Sequence, residues 1–265
     1  MRAQPLAANP TPGPCGKPLA VSVVIPVYNE QDRIADALTA IWSYFTELGT
    51  DTEIIVADDG STDNTTVIAA AYASSHPGIR VLSLKHGGKA KAVLAGLHAA
   101  RHPIAGFMDV DLATPLATWE ACQNALAHGY DIAIASREGS GAERVGEPAY
   151  RHVMGRVFNG LVKLLILPGI DDTQCGFKFF TRHALDIILP RCQLYTEHDV
   201  SAGPRVTAFD VELLYIARKH GLRTTVVPIT WHYGAKSKVN PVRDTIRNFR
   251  DVLAVRMNGW RGKYA

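Results

Sequence analysis

Residues 107–115 read FMDVDLATP, an apolar run that ends in two carboxylates one residue apart, Asp109 and Asp111, and then turns at Pro115. Side chains at i and i+2 of a strand point to the same face, so at the strand's end these carboxylates can converge on one hard cation. An ion held by so few protein oxygens keeps positions open for substrate phosphates, which makes the pair a diphosphate anchor by chemistry. The alternative is local: Asp109 caps the following helix and Asp111 is a solvated turn residue. The neighbouring strand ends bear on the choice.

VSVVIPVYN (21–29) is a β-branched run of the kind that forms a buried parallel strand. Ile34, Leu38, Ile41, Phe45 and Leu48 follow at helical spacing, predicting a helix over 31–48. EIIVADD (53–59) is the next strand, and GSTDNTTVIAAAYA opens a helix with Ser, Thr and Asp available as caps. Further strands are expected at 79–84, 104–109 and 131–136, with helices near 89–101 and 115–128. This alternation predicts an α/β protein: a Rossmann-like, mostly parallel sheet with helices on both faces and ligands at the carboxyl ends of its strands. The second half is less regular, with a helix near 149–167, the short stretch CGFKFF (175–180), a helix over 208–219 and a strand over 223–231. A basic amphipathic helix over roughly 240–257 closes the chain.

Two of those strand ends are as polar as the first. PVYNE (26–30) offers Tyr28 as a stacking face and Glu30 as a ribose or base partner, or is only a strand terminus. ADDGSTD (57–63) places a carboxylate where it can accept the N–H of a flat base, and Gly60 lets the chain pass close to a ligand, or the segment is simply a good turn and N-cap. Three polar ends in a row favour a nucleotide crevice.

With 265 residues, 47% hydrophobic and 20% charged, the chain suits one large α/β domain with an extension. Cys15, Cys122, Cys175 and Cys192 form no CxxC pair and read as reduced packing residues, which favours a cytoplasmic setting. Residues 1–18 are rich in Pro, Ala and Gly and are expected to be a disordered leader without a signal-peptide core. LVKLLILPGI (161–170) is too short to cross a bilayer. From Lys236 to Ala265, eight basic residues against Asp244 and Asp251 give +6, whereas the whole chain is +3. That end is expected to meet an anionic surface or ligand. The organisation expected is therefore a leader over 1–18, a main α/β domain over 19–235 and a basic helical extension over 236–265.

In order and spacing, SVVIPVYNE, VADDGSTDNT, GGKAKAVLAG and FMDVDLATP resemble the GT-A domain of family 2 glycosyltransferases. ASR (135–137), DDTQCGFKFF, FDVELLYIA and Trp231 followed by SKV resemble the polyprenyl- or dolichyl-phosphate β-glucosyltransferase branch of that family. The resemblance implies a GT-A fold in which Pro26, Tyr28, Glu30 and Asp59 line the uridine pocket and Lys89 lies on the donor side. It also implies that Asp109 and Asp111 hold Mg²⁺ or Mn²⁺ on the sugar-nucleotide diphosphate. Arg137 and Arg151 resemble acceptor-phosphate arginines, although surface pairing with Glu138 or Glu147 is their plainer role. Two positions depart from the family's pattern: Ala90 replaces a loop glycine, and Gly155 stands where related mannosyl-transferring enzymes tend to have serine.

The implied reaction is inverting transfer of glucose from UDP-glucose to a polyprenyl (dolichyl or undecaprenyl) monophosphate, by an enzyme bound peripherally at the cytoplasmic face of a membrane and with no nucleic-acid partner. A phosphate monoester, with a second pKa of about 6, needs cations rather than a base. A hydroxyl acceptor would need a carboxylate, for which Asp172 is the candidate. Thr173 and Gln174 are sugar-contact candidates, Asp210 and Glu212 are expected to be scaffolding, and Lys238 either closes over the diphosphate or is an ordinary solvated lysine. On the last helix Val242, Ile246, Phe249, Val252 or Leu253, and Met257 form one apolar face opposite Arg243, Arg247 and Arg250, suited to a membrane interface. The competing readings are GDP-mannose as donor, a soluble hydroxyl acceptor, and a non-catalytic nucleotide-sugar-binding module.

Overall fold

β-Branched runs with no polar alternation bury both faces, and the centre of the molecule is built from them. The computed structural model describes residues 4–5, 19–146, 148, 155–156, 159–160, 162–163, 166–195, 208–232 and 241–265, omitting the side chains of 4–5 and 241–246. The strands are β1 (Gln4–Pro5), β2 (Val21–Val27), β3 (Thr52–Asp58), β4 (Ile79–Ser83), β5 (Ile104–Met108), β6 (Ile132–Ser136), β7 (Glu143–Val145), β8 (Phe177–Thr181), β9 (Thr224–Pro228) and β10 (Thr230–His232). The helices are α1 (Ile34–Glu47), α2 (Thr65–Ser75), α3 (Lys89–Ala99), α4 (Thr118–Ala127), α5 (Arg182–Ile188), α6 (Phe209–Lys219) and α7 (Pro241–Trp260).

The main sheet runs β1-β9-β6-β8-β5-β2-β3-β4, with every pairing parallel except those of β8. The expected mostly parallel sheet is therefore present. Strand β8 inverts between β5 and β6, in register Met108↔Phe177 and Ile134↔Lys178. Its inversion brings the residues before Phe177 to the same edge as the carboxyl ends of its parallel neighbours. Two buried apolar clusters form the core, one holding Phe107, Phe209, Leu213 and Val255, the other Ile41, Phe45, Trp119 and Phe179.

Several expectations are corrected. The strand expected over 223–231 breaks at Ile229, and its end pairs with β7 as a separate parallel ribbon. α5 lies where no helix was expected. The single apolar face on the last helix is two: Val252 and Val255 are buried, whereas Phe249, Leu253 and Met257 are exposed. Ala90, in the glycine's place, turns its methyl into the core. Of the helix expected near 149–167, most residues lie outside the described set; 155–156, 159–160 and 162–163 are helical. Beyond Gln4–Pro5, the leader also lies outside it.

Candidate active site

The ends of β2 and β3 are stitched into one rim. Asn29 (φ 53°) accepts the Thr62 amide at 2.8 Å, the Glu30 amide donates to Thr65 Oγ1 at 2.7 Å, and the Glu30 carboxylate pairs with Arg33 at 2.9 Å. Tyr28 stacks on His86 with centroids 4.3 Å apart, while Pro26 is buried within β2. Asp58 accepts from Ser61 and Thr66, fixing the turn into α2. Asp59 departs from the base-contact role expected of it. Its buried carboxylate accepts the Gly87 and Gly88 amides at 2.7 and 2.8 Å and pairs with His86, so it holds the loop that presents Lys89.

Asp109 follows β5, its amide donating to the Gly176 carbonyl at 3.0 Å. A Cβ on Gly176 would lie 2.0 Å from Asp109 Oδ2, so the absent side chain makes room for the carboxylate. Lys89 Nζ lies 2.5 Å from Asp109 Oδ1. Burial pulls the Lys89 pKa down, but the Asp109, Asp210 and Asp111 charges outweigh it and the net direction is up. Asp111 accepts the Ala113 amide at 3.2 Å. Its carboxyl is pushed above the ordinary range, first by burial and then by the Asp109 charge. The charge of a neighbouring carboxylate that opposes the ionisation of Asp111 is what a bound cation relieves. Among the described residues no group of three His, Cys, Asp or Glu side chains could hold a metal. An ion here would complete its shell with other oxygens, a set suited to Mg²⁺ or Mn²⁺.

Asp109 and Asp111 line a cleft together with Arg137, Gln174, Cys175 and Trp231. Arg137 grips Asp172 bidentately, Nε to Oδ2 at 2.7 Å and Nη2 to Oδ1 at 2.9 Å. The amides of Arg137 and Gln174 add two more donors to the same carboxylate, which has no exposed surface. Burial works against its ionisation, but the Arg137 guanidinium and these bonds win and hold its pKa far below the carboxylate range. With about four lone-pair sites and four donors, Asp172 is an anchor and not the base proposed for a hydroxyl acceptor. Trp231 is flanked by Arg137 at 5.4 Å and Arg144 at 5.9 Å, and Arg144 also pairs with Glu138 at 2.9 Å. Thr173 Oγ1 and Gln174 Nε2 are buried without a hydrogen-bond partner, and of the two residues Gln174 lines the cleft.

Beneath the cleft the fully buried Lys178 donates to the Cys175 carbonyl at 2.5 Å and lies 3.1 Å from Asp210 Oδ1. Asp210 is thus scaffolding for the charge cluster, with Lys178 as its ion-pair partner. Glu212 is scaffolding elsewhere: it accepts the Gln193 and Leu194 amides and the Tyr264 hydroxyl, and burial pushes its carboxyl up to about 7. Burial likewise pushes the Cys175 thiol up to about 11, in keeping with a packing role. Arg151 and Lys238 lie outside the described residues. Sequence reasoning missed Arg144 and Lys178. The only trace of Lys178 was a lysine interrupting an apolar run; Arg144 left none.

Residues 22–189 match the family model described as glycosyl transferase family 2. A dolichyl-phosphate β-glucosyltransferase of Trichomonas vaginalis is 33% identical over 228 residues, 82% of this chain and 65% of the relative, so the chain spans slightly less than two thirds of that protein. One from Dictyostelium discoideum is 31% identical, over 89% of this chain and 73% of its own. Among solved structures, glucosyl-3-phosphoglycerate synthase from Mycobacterium tuberculosis, in complex with Mn²⁺, UDP and glucosyl-3-phosphoglycerate, aligns with a TM-score of 0.62 at 20% identity. That match covers 91% of this chain and 79% of the other, and shows a shared fold.

Proposed function

The chain belongs to glycosyltransferase family 2, and from that premise we propose that it transfers glucose from UDP-glucose to a polyprenyl monophosphate, with inversion, at the cytoplasmic face of a membrane. The observation that carries this is Arg137, a cation fixed on the wall of the cleft that also holds Asp109 and Asp111. A phosphate monoester is largely dianionic at neutral pH, so the acceptor side has to supply an oriented charge rather than a base. Asp172 sets the fork of the guanidinium and Trp231 backs its face, which suits tetrahedral phosphate oxygens. The relatives' names, dolichyl-phosphate β-glucosyltransferase, support the same acceptor class.

On the donor side, Tyr28, Glu30 and Pro26 belong to the nucleoside rim, with Asp59 acting through the 86–88 loop. Asp109 and Asp111 would hold Mg²⁺ or Mn²⁺, which when bound supplies charge stabilisation to the leaving diphosphate. Lys89 adds a fixed positive charge beside them. Thr173 and Gln174 offer their unpartnered polar atoms to the sugar. Arg151 is assigned as the second acceptor arginine and Lys238 as a diphosphate contact, on the family order alone. The test is transfer of label from UDP-glucose, with GDP-mannose in parallel, to polyprenyl phosphate in detergent with Mg²⁺. A butanol-extractable, acid-labile product from UDP-glucose supports the reading. Failure in every detergent, preference for GDP-mannose, or label on a soluble acceptor overturns it.

A further inference from the structure

Helix α7 has two apolar stripes and only one is covered. Val252 and Val255 face the core, whereas Phe249, Leu253, Met257 and Trp260 are exposed, Trp260 at 74%. Their spacing of four, four and three residues aligns them on one side of the helix. Among the described residues six large hydrophobic side chains are exposed, and the other two, Val67 and Val145, lie on different elements. The stripe is therefore a concentrated patch rather than ordinary surface scatter.

Its rim is cationic. Arg250, Arg261 and Lys263 are exposed, and the Arg256 guanidinium lies 5.0 Å from the Trp260 ring centroid. Between residues 247 and 265 the one acidic side chain, Asp251, accepts the Tyr195 hydroxyl and the Ala208 amide. That bond to Ala208 joins α7 to the start of α6, whose Asp210 belongs to the charge cluster under the cleft. A second copy laid on this stripe would bring its arginines against their equivalents. An anionic lipid surface is complementary both to the apolar line and to its basic rim.

We propose that Phe249, Leu253, Met257 and Trp260 form a bilayer-docking face, with α7 lying in the headgroup region of an anionic membrane. The stripe is about 17 Å long at the helical rise, and no helix among the described residues is long and apolar enough to span. Tryptophan and arginine suit this depth because one part of each side chain is apolar and another polar. The inference rests on the lipid-phosphate reading of the cleft only for its purpose. Docking is measured without donor or acceptor, so either idea can fail while the other stands.

The test is flotation of the full chain with vesicles of phosphatidylcholine alone and of phosphatidylcholine with phosphatidylserine. Wild type is expected to float with the anionic vesicles and weakly or not at all with the neutral ones, with a blue shift of emission that Trp260→Phe removes. Leu253→Gln with Met257→Gln should abolish flotation at an unchanged melting temperature, because both side chains are exposed. Arg250→Gln with Arg261→Gln should weaken it about 30-fold. Absence of flotation, equal flotation of the Leu253/Met257 variant, or a lowered melting temperature in that variant overturns the proposal. So does self-association of wild type that the same variant abolishes, which would assign the stripe to a second copy.

Discussion

Replacing Gly176 by alanine tests the geometry of the carboxylate pair without touching a ligand. The new Cβ would lie 2.0 Å from Asp109 Oδ2 and 2.3 Å from its Cγ, whereas real Cβ atoms essentially never come within 3.0 Å of a heavy atom outside their own residue and its chain neighbours. The Asp109 carboxylate must therefore retreat by about 1 Å, because Gly176 is fixed through its carbonyl to the Asp109 amide. A misplacement of about 1 Å in a reacting constellation can lower the rate about 100-fold, or about 2.7 kcal/mol of transition-state stabilisation. Gly176 does not have the positive φ that would make alanine costly by itself, so the melting temperature should move by only a few degrees. Initial rates against Mg²⁺ or Mn²⁺ concentration, with calorimetric binding of UDP plus metal, should show weaker metal binding and kcat/KM lower by about two orders of magnitude. Wild-type turnover with wild-type metal dependence would refute the placement of Asp109, and so would global unfolding.

Asp172→Asn should raise KM for the lipid acceptor about 10- to 100-fold by loosening Arg137, with a smaller change in kcat; loss of kcat alone, with the acidic limb of the pH–rate profile gone, would restore the base role. The depressed pKa of Asp172 contributes stability that is present above about pH 4 and lost as pH falls below it, so Asp172→Asn should flatten the acid-unfolding curve there. Glu212 has the opposite sign. Its carboxyl is raised to about 7 from the usual 4.5, so the folded state keeps a proton that the unfolded chain releases and stability falls as pH rises between those values. Melting temperatures from pH 5 to 8 should decline less in Glu212→Gln than in wild type. Lys178→Met leaves Asp210 buried without its ion-pair partner, which costs about 3–5 kcal/mol and lowers the melting temperature by roughly 6–20 °C, with much of the loss recovered by adding Asp210→Leu.

The first half of the fold was legible because its strands are continuous β-branched runs and its helices repeat at 3.6 residues. Short-range pattern carries that information. CGFKFF was harder: strand β8 is buried on both faces at the middle of the sheet, and its lysine is tolerated only because Asp210, far along the chain, stands opposite. Glu143–Val145 has exposed ends and no buried residue, so a run of three offers too little pattern to reveal its pairing with β10. In the site, that Asp109 and Asp111 lie together beyond the end of a strand was readable from spacing. The use made of Asp172 was not, since its partner Arg137 lies 35 residues away and sequence cannot show that the two meet. Asp59 misled for a related reason, because an acid at a strand end serves a loop amide as readily as a base.

The central claim is that Arg137 receives a phosphate, and acceptor kinetics at saturating UDP-glucose test it most directly. Arg137→Ala should raise KM for polyprenyl phosphate by about 100-fold or more, since a bidentate contact to a charged group contributes about 2–5 kcal/mol, while UDP and metal binding stay at wild-type strength. An unchanged acceptor KM in Arg137→Ala, with transfer intact, would contradict the account.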